Sequence, residues 1–143
     1  MSVKPKQTRG PRKPSGKLEA DVQRENIAYL LQHPSVVMVE RINAGAVSDS
    51  RGNYVRFHIL YLPKSGRSIK MKVPDLHVTL AGGHRMVIEC KREGWRLGND
   101  AREIEQANYL KYLREHGCIA IFATCVEDVS AALINGGYYD AHP

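Results

Sequence analysis

The chain has little of what marks a secreted, membrane-bound or zinc-binding protein. Its three cysteines form neither a close pair nor an even set, and its six histidines are scattered without metal-site spacing. No apolar run approaches the length of a membrane span, and no apolar segment follows the basic N-terminus as in a secretory signal. With 43% apolar residues in 143 positions, we expect one soluble, cytoplasmic domain with a single core and no membrane partner.

Acidic residues are absent from the first seventeen positions, which hold six of the 21 Lys and Arg residues. Without those six, 15 basic residues face 15 acidic ones, so the formal charge of +6 belongs to this segment. Lys, Arg, Pro, Gly and Ser cannot bury enough surface to offset the entropy of ordering. We therefore predict a disordered basic arm over residues 1–17 and a folded domain over 18–143. Arg12 and Lys13 are candidate phosphate contacts in the arm, and a merely solubilising terminus is the alternative.

Periodicity and turn residues predict the order helix, three or four strands, helix, strand, helix. The first helix, LEADVQRENIAYLLQHP, carries Ala20, Ile27 and Leu31 on one side. Strands follow at VVMVERI and NYVRFHILYL, joined by the turn-rich NAGAVSDSRG. This order is typical of an α/β fold with a mixed, mostly antiparallel sheet flanked by helices.

The second half of the chain supplies the crossover that such a sheet needs. The helix AREIEQANYLKYLREHG begins after a capping Asn99 or Asp100 and ends at Gly117. CIAIFAT is a short apolar strand, and VEDVSAALI is a last helix. A strand that follows a crossover helix extends the sheet at its edge.

Between positions 51 and 72 the chain has six basic residues and no acidic one. Its segment PKSGRSIKMK reads as a loop from its Pro, Gly and Ser content. Lys64, Arg67, Lys70 and Lys72 are therefore candidate contacts to a nucleic-acid backbone. A solvated hairpin tip is the alternative.

The stretch VPDLHVTLAGGHRMVIECKR predicts a hairpin that brings charged side chains together. A three-residue turn at Ala81, Gly82 and Gly83 pairs His77 with Val87 and Asp75 with Glu89. Lys91 then follows on the same face, because side chains alternate along a strand. A two-residue turn would instead place Asp75 opposite Cys90, and we predict the three-residue turn.

Two adjacent carboxylates repel each other unless a cation lies between them. Magnesium prefers oxygen ligands and leaves positions for water and phosphate. Lys91 beside such an ion can orient or deprotonate an attacking water, which indicates metal-assisted phosphodiester hydrolysis. The alternative is a solvent-facing set of ordinary cross-strand charge pairs, since a lone D…ExK match is common by chance.

The order of several motifs is more specific than that match. The chain resembles the PD-(D/E)xK nuclease superfamily in having PDLH, then IECK, then a helix that bears Gln106. It resembles the VRR-NUC branch more closely, from Leu18 to about Val129, because LEADVQ, RINAG and EIEQANYLKYLREHGCIAIF also occur in the expected order. The resemblance implies a restriction-endonuclease-like core. It also implies Mg²⁺, with Mn²⁺ as a possible substitute, and the catalytic residues Asp75, Glu89, Lys91, Gln106 and Glu19, of which Asp75, Glu89 and Glu19 hold the metal. Asp21 and Glu25 remain rivals of Glu19.

Stand-alone members of that branch, from phages and bacteria, resemble homodimeric endonucleases that cut Holliday junctions or other branched DNA. The resemblance therefore implies a DNA resolvase, with a flap nuclease or a restriction or repair nuclease as alternatives. Arg92 and Arg96 would extend a positive path beyond the metal, and Trp95 would stack on an unpaired base or cap an edge of the core. A catalytically inactive nucleic-acid-binding module is the alternative of another class.

Overall fold

A computed structural model of the chain describes residues 16–42, 46–56, 58–63 and 69–139. Three α-helices and six β-strands lie within these residues, in the order helix, five strands, helix, strand, helix. Their bounds are α1 Glu19–Gln32, β1 Val36–Arg41, β2 Ala46–Ser48, β3 Tyr54–Arg56, β4 Leu76–Leu80, β5 Arg85–Cys90, α2 Ala101–Glu115, β6 Ile119–Ala123 and α3 Val126–Asn135.

Four strands form the central sheet in the order β1-β4-β5-β6. The pairs β1/β4 and β4/β5 are antiparallel, and β5/β6 is parallel across the crossover helix α2. The predicted α/β fold with a mixed, mostly antiparallel sheet flanked by helices is thus confirmed.

The helices bury the two faces of the sheet in separate clusters. On one face, α1 and α3 pack over side chains of the sheet such as Leu76, Val78 and Ile88. On the other face, α2 packs Tyr109 and Leu110 against Val87 and Ala120. Because successive strand residues point to opposite faces, Glu89 and Lys91 lie on the α2 face with Val87.

The β4–β5 hairpin has the predicted register. A short turn over Ala81–Gly83 joins the strands, and Gly82 and Gly83 have φ values of 80° and 79°, a conformation that favours glycine. His77 pairs with Val87, and Leu80 N donates to His84 O at 2.8 Å. The three-residue turn therefore sets which residues meet at the other end of the hairpin.

The prediction of a long second strand at NYVRFHILYL is wrong for the described residues. Only Tyr54–Arg56 is a strand there, and it pairs with β2 in a separate two-stranded sheet. Because β1 pairs directly with β4, no other strand can lie between them in the central sheet. The chain that links β1 to β4 therefore leaves this sheet. A hydrogen bond from Ile42 N to Asp75 O, at 2.7 Å, joins the two ends of this linking segment.

The predicted apolar side of α1 is wrong for Ala20 and Leu31, which are exposed, whereas Ile27 packs against the core. The helix buries Val22, Asn26 and Leu30, whereas Leu31 is 66% exposed. Asn26, a polar residue, lies at the centre of this buried stripe. Its Nδ2 finds a hydrogen-bond acceptor there, since it donates to Cys90 Sγ at 3.4 Å. This contact links α1 to the C-terminal end of β5.

The predicted ends of α2 are confirmed. Asp100 caps the helix by accepting a hydrogen bond from Glu103 N at 3.1 Å. Gly117 follows the helix with a φ of 89°, which favours glycine over other residues. The first turns of α2 consequently lie in a fixed position beside the end of β5.

Candidate active site

Asp75 and Glu89 meet at the open end of the β4–β5 hairpin, as the register predicts. Asp75 N donates to Glu89 Oε2 at 3.1 Å. Glu89 is only 2% exposed, and Asp75 is partly buried. Two carboxylate side chains therefore lie side by side in a largely buried setting.

Glu19, in the first turn of α1, completes a cluster of three carboxylates. One oxygen each from Glu19, Asp75 and Glu89 lies within 4.8 Å of the others, so the three could hold a metal ion. The rivals face elsewhere: Asp21 Oδ1 lies 3.3 Å from Arg24 Nη2, and Glu25 Oε1 lies 2.8 Å from Lys17 Nζ. The geometry favours Glu19 over both.

Replacing Glu19 by glutamine should weaken divalent-metal binding by about tenfold or more, because one of three charged ligands is lost. Asp21→Asn is the matched control on the same helix turn and should leave affinity within about twofold, since its carboxylate pairs with Arg24. Isothermal titration with Mg²⁺ and Mn²⁺ measures both. Equal losses in the two variants would contradict the choice of Glu19.

Gln106 supports Glu89 from α2. Its Nε2 donates to Glu89 Oε1 at 2.9 Å, and the residue is 3% exposed. Gln106 Oε1 is buried without a hydrogen-bond partner in the described part of the chain. A hydrated cation beside Glu89 would bring water, the donor that this oxygen lacks, so the side chains present fit a magnesium site.

The electrostatics of Glu89 also fit a cation. Burial, followed by the charge of Asp75, raises the pKa of Glu89 to about 7. Lys91 and the hydrogen bond from Asp75 N oppose this increase without cancelling it. A divalent ion would relieve the repulsion that remains.

Lys91 lies next to Glu89 and is nearly buried. Its Nζ is 3.8 Å from Glu89 Oε1, and 11% of its side chain is exposed. The same Nζ lies 5.4 Å from the centroid of the Trp95 ring. The structure thus brings together Asp75, Glu89, Lys91, Gln106 and Glu19, the five residues predicted for catalysis.

A cavity of about 310 Å³ opens onto these residues. Lys72 and Arg102 line it on the basic side, and Asp100 and Glu103 line it from the start of α2. Burial, followed by the charge of Arg102, lowers the pKa of the Lys72 ammonium. The sequence predicted Lys72 as a nucleic-acid contact but did not predict that Asp100 and Glu103 line the cavity. The predicted helix cap at Asp100 was the available signal, because it places both residues at the start of α2.

The other predicted nucleic-acid contacts of the loops and the arm either do not line the cavity or lie outside the described residues. Lys70, Arg92 and Arg96 are exposed and are not among the described side chains that line the cavity. Predictions for four positions lie outside the described residues: Arg12, Lys13, Lys64 and Arg67. Lys17, at the predicted end of the arm, is described, and its backbone N–H donates to Glu93 Oε2 at 3.1 Å.

His77 shares the face of Asp75 but has structural partners. Its Nε2 lies 3.2 Å from Pro74 O, and its Nδ1 lies 2.7 Å from Arg85 Nη2. Burial, followed by the charge of Arg85, lowers the pKa of His77 to about 4. A neutral His77 that donates to Pro74 and accepts from Arg85 satisfies both contacts.

No protein-family model, curated protein or solved structure matches this chain. Among the described helices, none combines the length and the apolar character that a membrane crossing requires. A groove of about 520 Å³ beside β6, between α2 and α3, exceeds the carboxylate cavity in volume, but it contains none of the predicted site residues. The function is therefore inferred from the three carboxylates and from Lys91 and Gln106 beside them.

Proposed function

We propose that the protein is a Mg²⁺-dependent structure-selective DNA endonuclease with a restriction-endonuclease-like core of the VRR-NUC type. One observation carries the proposal: Glu89, nearly buried, shares its two oxygens between Asp75 N and Gln106 while Lys91 Nζ lies 3.8 Å away. Nucleic-acid binding alone does not require a buried carboxylate pair with a lysine beside it. Metal-assisted hydrolysis of a phosphodiester gives each of these groups a role, as metal ligands and as a cation beside the phosphate.

Asp75, Glu89 and Glu19 would hold the metal. When bound, magnesium supplies Lewis-acid stabilisation of the charge that develops on the phosphate. Gln106 keeps the Glu89 carboxylate in a fixed orientation through its hydrogen bond. The Lys91 ammonium can donate to the attacking water or to a phosphate oxygen, because its side chain reaches the same cavity as the carboxylates.

The substrate proposed is branched DNA, with the four-way junction first. Symmetric cutting of two strands needs two active sites related by a twofold axis, so the proposal includes a homodimer. Lys72 and Arg102, at the rim of the carboxylate cavity, supply positive charge for the backbone next to the scissile phosphate. A flap nuclease or a restriction or repair nuclease would use the same site on different DNA.

Cleavage of three end-labelled substrates that share one sequence tests the proposal: a four-way junction, a flap and a linear duplex. We expect paired symmetric cuts in the junction with Mg²⁺ or Mn²⁺ and none with chelator. Glu89→Ala protein, purified in parallel, should give no products and so controls for contaminating nucleases. Metal-dependent cutting of the flap or the duplex alone would support the proposed reaction but show that the four-way junction is not the substrate.

The same assay separates the nuclease from a catalytically inactive binding module. A binding module retards the junction in a gel with or without metal and produces no cuts with Mg²⁺ or Mn²⁺ at any protein concentration. That outcome would overturn the proposed function. Binding that weakens as salt rises would be common to both and decides nothing between them.

A further inference from the structure

Trp95 is the only tryptophan of the chain, and its ring is held on two sides. Its Nε1 donates to Glu103 Oε1 at 3.0 Å, and its ring lies 4.6 Å, centroid to centroid, from Phe122 at an interplanar angle of 44°. Both contacts belong to the folded domain. The indole is therefore fixed without any DNA present.

The position at which the indole is fixed places Lys91 Nζ over its ring, 5.4 Å from the centroid. An ammonium within about 6 Å of an indole centroid is attracted by the negative face of the ring. Lys91 otherwise has one described ion pair, with Glu89 at 3.8 Å. The ammonium thus lies between a carboxylate and an aromatic face, which restricts a side chain that has four rotatable bonds.

Helix α2 supplies the residues that hold Trp95, which lies beside Lys91, and Glu89. Glu103, in the first turn of α2, binds Trp95, and Gln106, one turn later, binds Glu89. The sheet adds to this arrangement, because Phe122 beneath Trp95 is the register partner of Glu89 across β5 and β6. The start of α2 consequently fixes the lysine and the carboxylate relative to each other.

We propose that Trp95 is a positioning residue that holds the Lys91 ammonium beside Glu89 for phosphodiester cleavage. This inference rests on the proposed function for its kinetic consequence, but the contact itself is independent of activity. A base-stacking residue would instead present a free ring face to DNA, and a purely structural residue would have no effect on Lys91.

Intrinsic fluorescence tests the contact without any cleavage. Since all tryptophan emission comes from Trp95, Lys91→Met should change its intensity or wavelength, whereas Lys111→Met, at an exposed position on α2, should not. Thermal melting of both variants shows whether they fold. A folded Lys91→Met protein with unchanged emission would overturn the proposal, whether or not the protein cuts DNA.

Single-turnover cleavage at saturating DNA tests the consequence. Trp95→Leu should slow the cutting step by about 10- to 100-fold, because small misplacements of a catalytic group have effects of this size. Trp95→Phe keeps an aromatic face and should stay within about fivefold. Leu97→Ser, in the same loop and exposed, is the matched control and should be unchanged.

Binding of DNA separates positioning from stacking. In the proposal, Trp95→Leu lowers the rate at saturation and leaves the Kd for DNA within about twofold. A raised Kd with an unchanged rate at saturation would assign Trp95 to base stacking and overturn the proposal. If the wild-type protein cuts nothing, the proposed function fails, and the fluorescence result still decides the contact between Trp95 and Lys91.

Discussion

Replacing Lys91 by methionine is expected to slow DNA cleavage by about a thousandfold while metal binding is retained. Methionine has a similar length and suits a nearly buried position, so packing should survive. The ammonium that it removes is the described cation nearest to the Glu89 carboxylate. Losing one preorganised donor at a site of developing charge has effects of this size in other enzymes.

The measurement pairs a single-turnover rate with a metal titration on the same protein. Lys111→Met removes an exposed lysine of α2 and should change neither quantity. If Lys91→Met cuts the junction at more than about a tenth of the wild-type rate, Lys91 has no part in the chemistry. Loss of metal binding together with cleavage would assign Lys91 to the structure of the site instead.

The contribution of Glu89 to the stability of the metal-free protein should be lost as the pH rises from about 4.5 to about 7, whereas His77, whose pKa is lowered to about 4, contributes in the opposite direction over the same range. Glu89 has a pKa of about 7 in the folded protein, raised from 4.5, so the folded state holds this proton more tightly than the unfolded state. Its contribution to stability is present below pH 4.5 and is lost as the pH rises through 7. The loss amounts to about 3 kcal/mol, since one pKa unit is about 1.4 kcal/mol.

Glu89→Gln should remove this dependence and stabilise the metal-free protein at pH 8. The amide of Gln at position 89 can still accept from Asp75 N, and it can donate to Gln106 Oε1, which has no partner in the described residues. Denaturant unfolding in chelator at pH 5 and pH 8 gives the difference between variant and wild type. A difference that does not change with pH would contradict the raised pKa.

Magnesium should reverse this loss of stability in the wild type, and should act more weakly on Glu89→Gln. The ion competes with the proton for Glu89, so its affinity should fall by about tenfold for each pH unit below 7. Magnesium that binds the folded state raises stability by mass action. Added Mg²⁺ should therefore stabilise the wild type at pH 8 more than it stabilises Glu89→Gln, which keeps only two of the three carboxylates.

The part of the site that lies on the hairpin could be predicted because its rules are local. Alternation along the strands and two adjacent glycines after Leu80 determine that Asp75 meets Glu89. The cap at Asp100 fixes where α2 begins, and helix periodicity then places Gln106 inward. Each step uses residues close together in the chain.

The remainder depended on contacts between distant segments. The burial of Asn26 follows from its contact with Cys90, 64 positions away, which propensity and periodicity do not reveal. The strand predicted near Tyr54 failed because β1 takes the place beside β4. The sequence left Trp95 with two roles, stacking on a base or capping an edge of the core, because its contacts with Glu103 and Phe122 depend on the fold.

The hydrogen bond between Ile42 N and Asp75 O closes the chain between β1 and β4 into a loop. Its two ends are pinned together at the base of β1 and β4, and closing a longer loop costs only about 0.6 kcal/mol for each doubling in length. A segment of different length or charge could be grafted between Ile42 and Lys70, while Lys72, which lines the cavity, and Val73, which is buried in the core, keep their places. If the protein has the proposed function, its choice of DNA target could then change without altering the residues proposed to cut.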